Sequence, residues 1–438
     1  MRKVIFSFVT SLLLLLPSMV RADEGMWFLM FLKRLNERDM QKEGLQLTAE
    51  EIYSINNNSL KNAIVQFGGG CTASIISPDG LVITNHHCGY GAIAGLSTPE
   101  HNYLRDGYWA KTKADELSPK RLSVRFFVRM DNVTDRMLAV VNPSMSEKER
   151  EAALNTEISK IQKENDEGGK YVVSVRSFFQ GNEFYYFVYQ DFKDVRLVGT
   201  PPENVGKFGG DTDNWEWPRH TGDFSVFRVY TDKNGNPAEY SPENIPMKAQ
   251  KYLNVSLKGV EEKDFAMILG YPGRTNRWVP SYWVDQQVKY GYPAWVEASK
   301  TAMDAMKKHM DADNAVRLKY ASAYAGLANY WKNRQGMIDA LTAHKTAALK
   351  RKAEKKFAKW AAKQENKAEY GAVLTDLASF FAKTNEQAAN QNYLAIFFRA
   401  SQLASQANPL AKELSLYLNS SSDKEKQQIK ERVTQALY

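Results

Sequence analysis

The sequence predicts a mixed β and α protein, a β-barrel followed by an α-helical domain. Up to about residue 270, short β-branched and aromatic runs alternate with glycine, proline and asparagine turns at the density of a barrel. From about Val284 the apolar residues recur at the helical period. Turn residues thin out at the same place: of 26 glycines only Gly326, Gly336 and Gly371 lie beyond residue 300, and of 15 prolines only Pro409. The 438 residues therefore divide into a leading segment 1–22, a domain 23–282 of short helices and strands, and a helical domain 283–438.

Residues 1–22 have the form of a signal peptide. Arg2 and Lys3 precede an apolar run from Val4 to Leu16, and Val20 and Ala22 form a small-residue exit. The run is short for a membrane span, and no later stretch approaches the ~20 apolar residues a span needs. The mature chain is expected to be exported and to carry no membrane span.

Trp27, Met30, Phe31 and Leu35 have the spacing of one amphipathic helix over Met26 to Lys42. Thr48 and Glu51 form a capping box for a second, short one. Both are expected to lie on the barrel that follows, which begins with Ala63 to Phe67. Cys71 to Ile76 and Leu81 to Thr84 read as strands around the turn Pro78-Asp79-Gly80. Cys71 opens the first strand and Cys88 closes the second, so antiparallel pairing brings the two cysteines of the chain to one end of the hairpin. An exported chain then favours a Cys71–Cys88 disulfide over two free thiols.

His87, directly before Cys88, would sit on this stapled strand end, where a general base can be held still. Neighbours on a strand face opposite sides, so His86 and His87 cannot both look into one site. Adjacent histidines also make poor joint zinc ligands, and no Cys-x-x-Cys or His-x-x-x-His accompanies them, so no metal is expected.

Beyond the hairpin, Gly89-Tyr90-Gly91 reads as a flexible exit and Thr98 to Trp109 as a surface loop or short helix. Leu122 to Met130 is a strand and Ser146 to Glu167 an exposed helix. Tyr171 to Phe179, Phe184 to Tyr189, Val195 to Val198, Phe224 to Tyr230 and Phe265 to Leu269 complete the strands. Helices are expected at Trp295 to His309, Ala315 to Lys332, Met337 to Lys363, Tyr370 to Lys383, Asn392 to Gln406 and Ala411 to Leu437.

The net charge of +8 is uneven. Residues 301–438 hold 22 Lys and Arg against 13 Asp and Glu, whereas residues 23–300 are close to −4. The densest run, Lys350 to Lys356, lies on an amphipathic helix that turns Leu349, Phe357 and Trp360 inward. It reads as a solvated face, because nucleic-acid surfaces interleave basic and aromatic residues on one side. No nucleic-acid partner is expected.

Four strings stand in order along the chain: Asp23-Glu24-Gly25-Met26-Trp27, Gly69-Gly70-Cys71-Thr72, Thr84-Asn85-His86-His87-Cys88-Gly89-Tyr90, and the run from Gly209 to Ser225 that contains Asn214-Trp215-Glu216-Trp217-Pro218-Arg219 and Thr221-Gly222-Asp223. With them the chain resembles the bacterial dipeptidyl-peptidase 7 and 11 family, periplasmic serine exopeptidases, from the mature N-terminus to about residue 340. The resemblance implies that the strand-rich domain is the first barrel of a chymotrypsin-like double barrel and that the helices begin a cap.

It further implies that His87 is the general base, that Asp223 orients it, and that Asn214, Trp215 and Asn329 receive a free α-amino group. Neutral oxygens and an aromatic wall suit an ammonium ion. Asp211 and Asp213 stand nearer the glycines, as turn carboxylates. The implied substrates are peptides with a free N-terminus, without a cofactor, and the full-length family members are expected to be homodimers.

No serine here has the Gly-x-Ser-Gly setting of a peptidase nucleophile. Ser225, Ser241, Ser256 and Ser281 lack flanking glycines, and Ser420 to Ser422 form a linker between helices. In the family the serine comes from a second barrel after the helical domain. The last helix ends at Tyr438 without a C-cap, so the expectation is a chain cut short of that barrel, inactive by itself and prone to aggregate through exposed apolar surface. The reading is a serine-type dipeptidyl aminopeptidase. Two others compete with it: a periplasmic peptide-binding protein that has lost its nucleophile, and a scaffold whose basic helices hold an acidic partner.

Overall fold

The computed structural model describes residues 27–55, 57–420 and 422–437. The expected signal segment lies outside the described residues. The chain forms two compact units, one from the described part of Met1–Lys61 with Ser256–Ile268, the other from Asn62–Val255 with Leu269–Tyr438.

In the first unit the expected single helix over Met26 to Lys42 is broken. Helices Leu32–Leu35 and Glu37–Lys42 meet at Asn36, whose φ of −125° is outside helical geometry. The break lets Leu32 and Met40 both turn into a small core with Leu45, Ala49 and Ile52. The capping box forms as expected: Thr48 receives the Glu51 N–H, and the Glu51 carboxylate receives the Thr48 N–H at 2.8 Å. Phe265 packs in this same core. The expected strand Phe265 to Leu269 is absent; a run of apolar residues becomes a strand only where a sheet edge offers it hydrogen bonds, and Phe265 is engaged elsewhere.

The second unit is mixed α and β, one large antiparallel sheet and a set of helices. Its strands are β1 Ile64–Phe67, β2 Cys71–Ile75, β3 Leu81–Thr84, β4 Tyr108–Trp109, β5 Val124–Asn132, β6 Val172–Phe178, β7 Glu183–Phe192, β8 Val195–Thr200, β9 Ser225–Thr231 and β10 Ile245–Pro246. They are ordered β4-β8-β9-β3-β2-β1-β5-β7-β6, with β10 also on β9. The β2–β3 hairpin pairs Ser74 with Ile83 and Ile75 with Val82. Its turn is tied by Ser77, whose hydroxyl accepts from the N–H of Asp79 and of Leu81, each at 3.2 Å. Gly80 takes φ +66° there, and a Cβ would stand 3.0 Å from the Val229 carbonyl oxygen.

Alternate residues of seven strands point inward, as the two-residue period requires. Val65 and Phe67 of β1, Ala73 and Ile75 of β2, Val82 of β3, Val124 of β5, Phe192 of β7, Val195 and Leu197 of β8, and Phe227 and Val229 of β9 form one core. A sheet whose distant strands share a core is strongly curved.

Four helices frame the site: α1 His86–Leu96, α2 Tyr292–Ala312, α3 Asn314–Ala343 and α4 Asn385–Ala400. Helices α2 and α3 form a hairpin around Asp313, whose carboxylate accepts the N–H groups of Ala315 at 2.6 Å and Val316 at 3.2 Å. With α4 they share a core of Met303, Leu327, Ala328 and Ile396. The expected helix Met337 to Lys363 is divided by Lys345, at φ +51°, into the end of α3 and Thr346–Ala361.

Helix α1 is the main correction. His86, His87 and Cys88 stand in the first turn of a helix rather than on a strand end, and Gly89 to Gly91 continue it. Three glycines weigh against a helix by propensity, but packing requires two of them. A Cβ on Gly89 would lie 2.7 Å from Ser225 Oγ and 3.1 Å from Phe227, and one on Gly91 would lie 3.1 Å from Ser322 Oγ on α3. Helix α1 is thus seated between the sheet and the helical hairpin.

Candidate active site

Strand β3 ends at Thr84 and the chain turns at Asn85, the N-cap of α1, with φ −70° and ψ 150°. The first N–H groups of a helix need acceptors from outside it. Here the Asp223 carboxylate serves: Oδ1 accepts the His87 backbone N–H at 2.9 Å. Oδ2 accepts from the His87 ring nitrogen Nδ1 at 2.7 Å. Asn85 Nδ2 donates to Asp223 Oδ2 and to its carbonyl oxygen, both at 3.2 Å. Two residues on, Ser225 Oγ donates to the Asn85 carbonyl at 3.0 Å. One carboxylate at the mouth of β9 therefore fixes both the backbone and the ring of His87.

Burial resists the charge on Asp223, but the bonds from the His87 ring and backbone outweigh it and hold the carboxyl below its ordinary value. A proton held on Nδ1 leaves Nε2 as the free basic nitrogen, on a side chain that is 69% exposed. Such a pair can take a proton from an approaching hydroxyl. Among the described residues no serine hydroxyl is bonded to His87.

Cys71 and Cys88 are joined in a disulfide, with Cα atoms 6.1 Å apart. It links the start of β2 to the first turn of α1, so His87 is held by a covalent tie on one side and by Asp223 on the other. The two sulfurs and His87 lie within 4.8 Å of one another. Sulfurs bonded to each other offer no thiolate, so this trio makes no metal site.

The neighbouring histidine faces the opposite way. His86 is 1% exposed, with its ring against Gly206 and edge-on to Tyr90 at 5.7 Å. Burial pushes its pKa down. Tyr90 Oη donates to Glu203 at 2.6 Å. The inner side of α1 thus holds residues 203–206, while its outer side presents His87.

The chain then runs to Asn214 and Trp215. Asn214 Nδ2 donates to Asn329 Oδ1 at 2.9 Å. Trp215 Nε1 donates to the carbonyl and to Oδ1 of Asn329, each at 3.1 Å. Trp215 takes φ +63° and is 58% exposed. On α3, one turn from Asn329, Lys332 donates to the Thr212 carbonyl and pairs with Glu216 at 3.3 Å. Asp211 pairs with Lys207 at 3.3 Å, and Asp223 is the carboxylate on His87. The structure brings together His87 with Asp223, and Asn214 and Trp215 with Asn329, on either end of residues 214–223.

Sequence reasoning missed Asn85, Tyr90, Glu203, Arg219 and Lys332. Of these only Asn85 left a signal, because asparagine is a favoured residue just before a helix. The partners of the others are brought to them by the fold.

A family model described as Peptidase S46 matches residues 22–437. The chain belongs to the peptidase S46 family. Over 437 residues it is 83% identical to a dipeptidyl-peptidase 7 of Capnocytophaga gingivalis, covering 100% of this chain and 61% of that one. An Asp/Glu-specific dipeptidyl-peptidase of Flavobacterium psychrophilum is 43% identical over 369 residues, 84% of this chain and 52% of its own. Among solved structures, the crystal structure of Porphyromonas endodontalis DPP11 with the dipeptide Arg-Glu superposes with a TM-score of 0.78 at 36% identity, covering 86% of this chain and 54% of that one. This S46 chain therefore spans about half to three fifths of the length of these relatives.

Proposed function

We propose that this chain carries the general base, its orienting acid and the amine-binding residues of a serine-type dipeptidyl-peptidase that removes dipeptides from peptides with a free N-terminus. The observation that carries the reading is Asp223 gripping His87 at both its backbone and its ring. That is the arrangement acyl transfer to a serine needs, since the imidazole must keep one tautomer and one orientation. Asn214, Trp215 and Asn329 receive the substrate ammonium, with amide oxygens and an indole face as the attracting groups. The names of the S46 relatives, and the dipeptide bound to DPP11, support peptide binding in this chain.

The shared core of seven strands supports a chymotrypsin-like barrel for the strand-rich domain 23–282, with the helical domain 283–438 as its cap. The attacking serine is supplied by residues outside this chain, as the coverage of its relatives allows. Export to the periplasm and homodimerisation at full length belong to the same reading.

The test uses the protein at its natural length from its source, with dipeptide–fluorophore substrates carrying free or acylated amines. The expected result is cleavage of the free-amine series alone, abolished by His87→Ala. Equal cleavage of both series would remove the amine-binding role, and no cleavage of either would remove the peptidase reading.

A further inference from the structure

Arg219 is not among the residues that the proposed chemistry uses, yet it is bonded to one of them. Its Nη1 donates to Asn214 Oδ1 at 3.2 Å and its Nε to Thr221 Oγ1 at 3.1 Å. Thr221 Oγ1 in turn donates to the Phe208 carbonyl at 2.8 Å, so its hydrogen points away and the oxygen is left to accept from Arg219. The guanidinium is held in place by its own loop.

These bonds form a chain with a direction. Arg219 donates to the oxygen of Asn214, whose NH2 donates to the oxygen of Asn329, and that oxygen also receives the indole N–H of Trp215. An asparagine amide can turn over and exchange its oxygen for its nitrogen. Here both ends of the chain are groups that only donate, a guanidinium and an indole. Turning Asn214 over would set its NH2 against Arg219 and its oxygen against Asn329 Oδ1, two contacts of like polarity. Turning Asn329 over would set its NH2 against the NH2 of Asn214 and the N–H of Trp215.

The geometry points to Arg219 as a positioning residue that holds the Asn214 amide from its oxygen end, as Asn329 holds it from its NH2 end, and so keeps the Asn214 oxygen arranged for an ammonium ion. This rests on the proposed amine-binding role. With Arg219 removed, Asn214 keeps its bond to Asn329 but loses the tie on its own oxygen, so its amide is held at one end instead of two. Substrate binding then pays for reordering that the wild-type site has already made.

The test is Arg219→Met, which keeps the length and loses the donors, and Arg219→Lys, which restores one, in the protein at its natural length. Each is assayed on dipeptide–fluorophore substrates and on matched substrates whose N-terminal amine is replaced by hydrogen. The expected result is a rise in KM of about tenfold for Arg219→Met on amine substrates with kcat nearly kept, as loss of a hydrogen bond to a charged group gives. Arg219→Lys recovers part of it, and the des-amino substrates show no added penalty. Thr221→Val, which frees the guanidinium, shifts KM the same way by less.

A penalty of equal size on des-amino substrates would mean that Arg219 touches the substrate directly or only supports the fold, and would overturn the proposal. So would an unchanged KM in Arg219→Met. Failure of the wild type on every substrate would instead strike the peptidase reading.

Discussion

Replacing Asp223 with asparagine changes one atom and leaves the shape of the side chain, yet the site needs two acceptors at that position and an amide has one. If the new oxygen keeps the His87 backbone N–H, now received at 2.9 Å, then the new NH2 faces His87 Nδ1 in place of the 2.7 Å bond. Being a donor, it selects the tautomer with the proton on Nε2, and the free basic nitrogen is lost. It also meets Asn85 Nδ2, which donates to that oxygen in the native site. If the amide turns the other way, the ring is correctly held but an NH2 opposes the backbone N–H at the start of α1. The second arrangement opposes two donors and gives up a helix cap, typically about 1 kcal/mol. The first opposes the new NH2 only to Asn85 Nδ2, which keeps its bond to the Asp223 carbonyl oxygen, so the arrangement with the wrong tautomer is the one expected. Neither restores the native site.

Losing the correct tautomer costs roughly three to four orders of magnitude in kcat for this chemistry, or about 4 to 5.5 kcal/mol of transition-state stabilisation. The fold loses less, about 1.5–3 kcal/mol for a charge-assisted bond. Steady-state kinetics on a free-amine dipeptide–fluorophore substrate, beside a thermal melt of the same preparation, separate the two. The expected outcome is a folded protein with kcat down about a thousandfold or more and KM little changed. A variant within tenfold of wild type would refute the assignment of Asp223, and activity lost only in step with unfolding would reduce Asp223 to a structural cap.

The remaining expectations concern the frame around this pair. The Asp223 carboxyl is held below its ordinary value of 3.8, so near that pH the unfolded chain binds the proton more readily than the folded one. Its contribution is therefore complete above pH 3.8 and lost as pH falls through the lower folded value; the melting temperature of the wild type should fall over that window more steeply than that of Asp223→Asn. Removing the disulfide by Cys71→Ala with Cys88→Ala, which closes a separation of 17 residues, should cost about 3 kcal/mol in urea unfolding, and an unchanged midpoint would show that Asp223 alone secures the start of α1. Gly89→Ala gains about 1 kcal/mol of helix propensity, but its Cβ would meet Ser225 Oγ at 2.7 Å and Phe227 at 3.1 Å. Overpacking of that kind costs about 1–3 kcal/mol, so a net loss near 1 kcal/mol is expected, and a stabilised variant would show that α1 can move off β9.

Local chemistry decided much of this chain in advance. β-Branched runs between Gly, Pro and Asn turns became strands because a pleated, half-buried ribbon suits them. The Pro78-Asp79-Gly80 turn set the hairpin, and Thr48 with Glu51 set a helix start, because the interacting groups lie within four residues of one another. The Cys71–Cys88 bond, across a separation of 17 residues, followed from two cysteines flanking one hairpin. His87 was singled out by its place beside Cys88, but its partner Asp223, and Asn214 and Trp215 with Asn329, were named through a resemblance to known peptidases; nothing in their spacing joins residues 136 and 115 positions apart.

What tertiary structure decided has one physical cause: the energies that settle it come from partners far away in sequence. The stretch His86 to Gly91 lacks helix propensity and reads as a strand end followed by a loop. It is helical because Asp223 receives the His87 N–H in its first turn and because Gly89 fits against β9 and Gly91 against α3. Phe265 reads as strand and is spent in the core of the first unit. The two histidines look alike in the sequence, yet one turn of helix buries His86 and leaves His87 outside. Residue types and short-range geometry thus determined the elements and the kinds of chemistry available, while the packing of sheet, helix α1 and helical hairpin determined which imidazole is free to act.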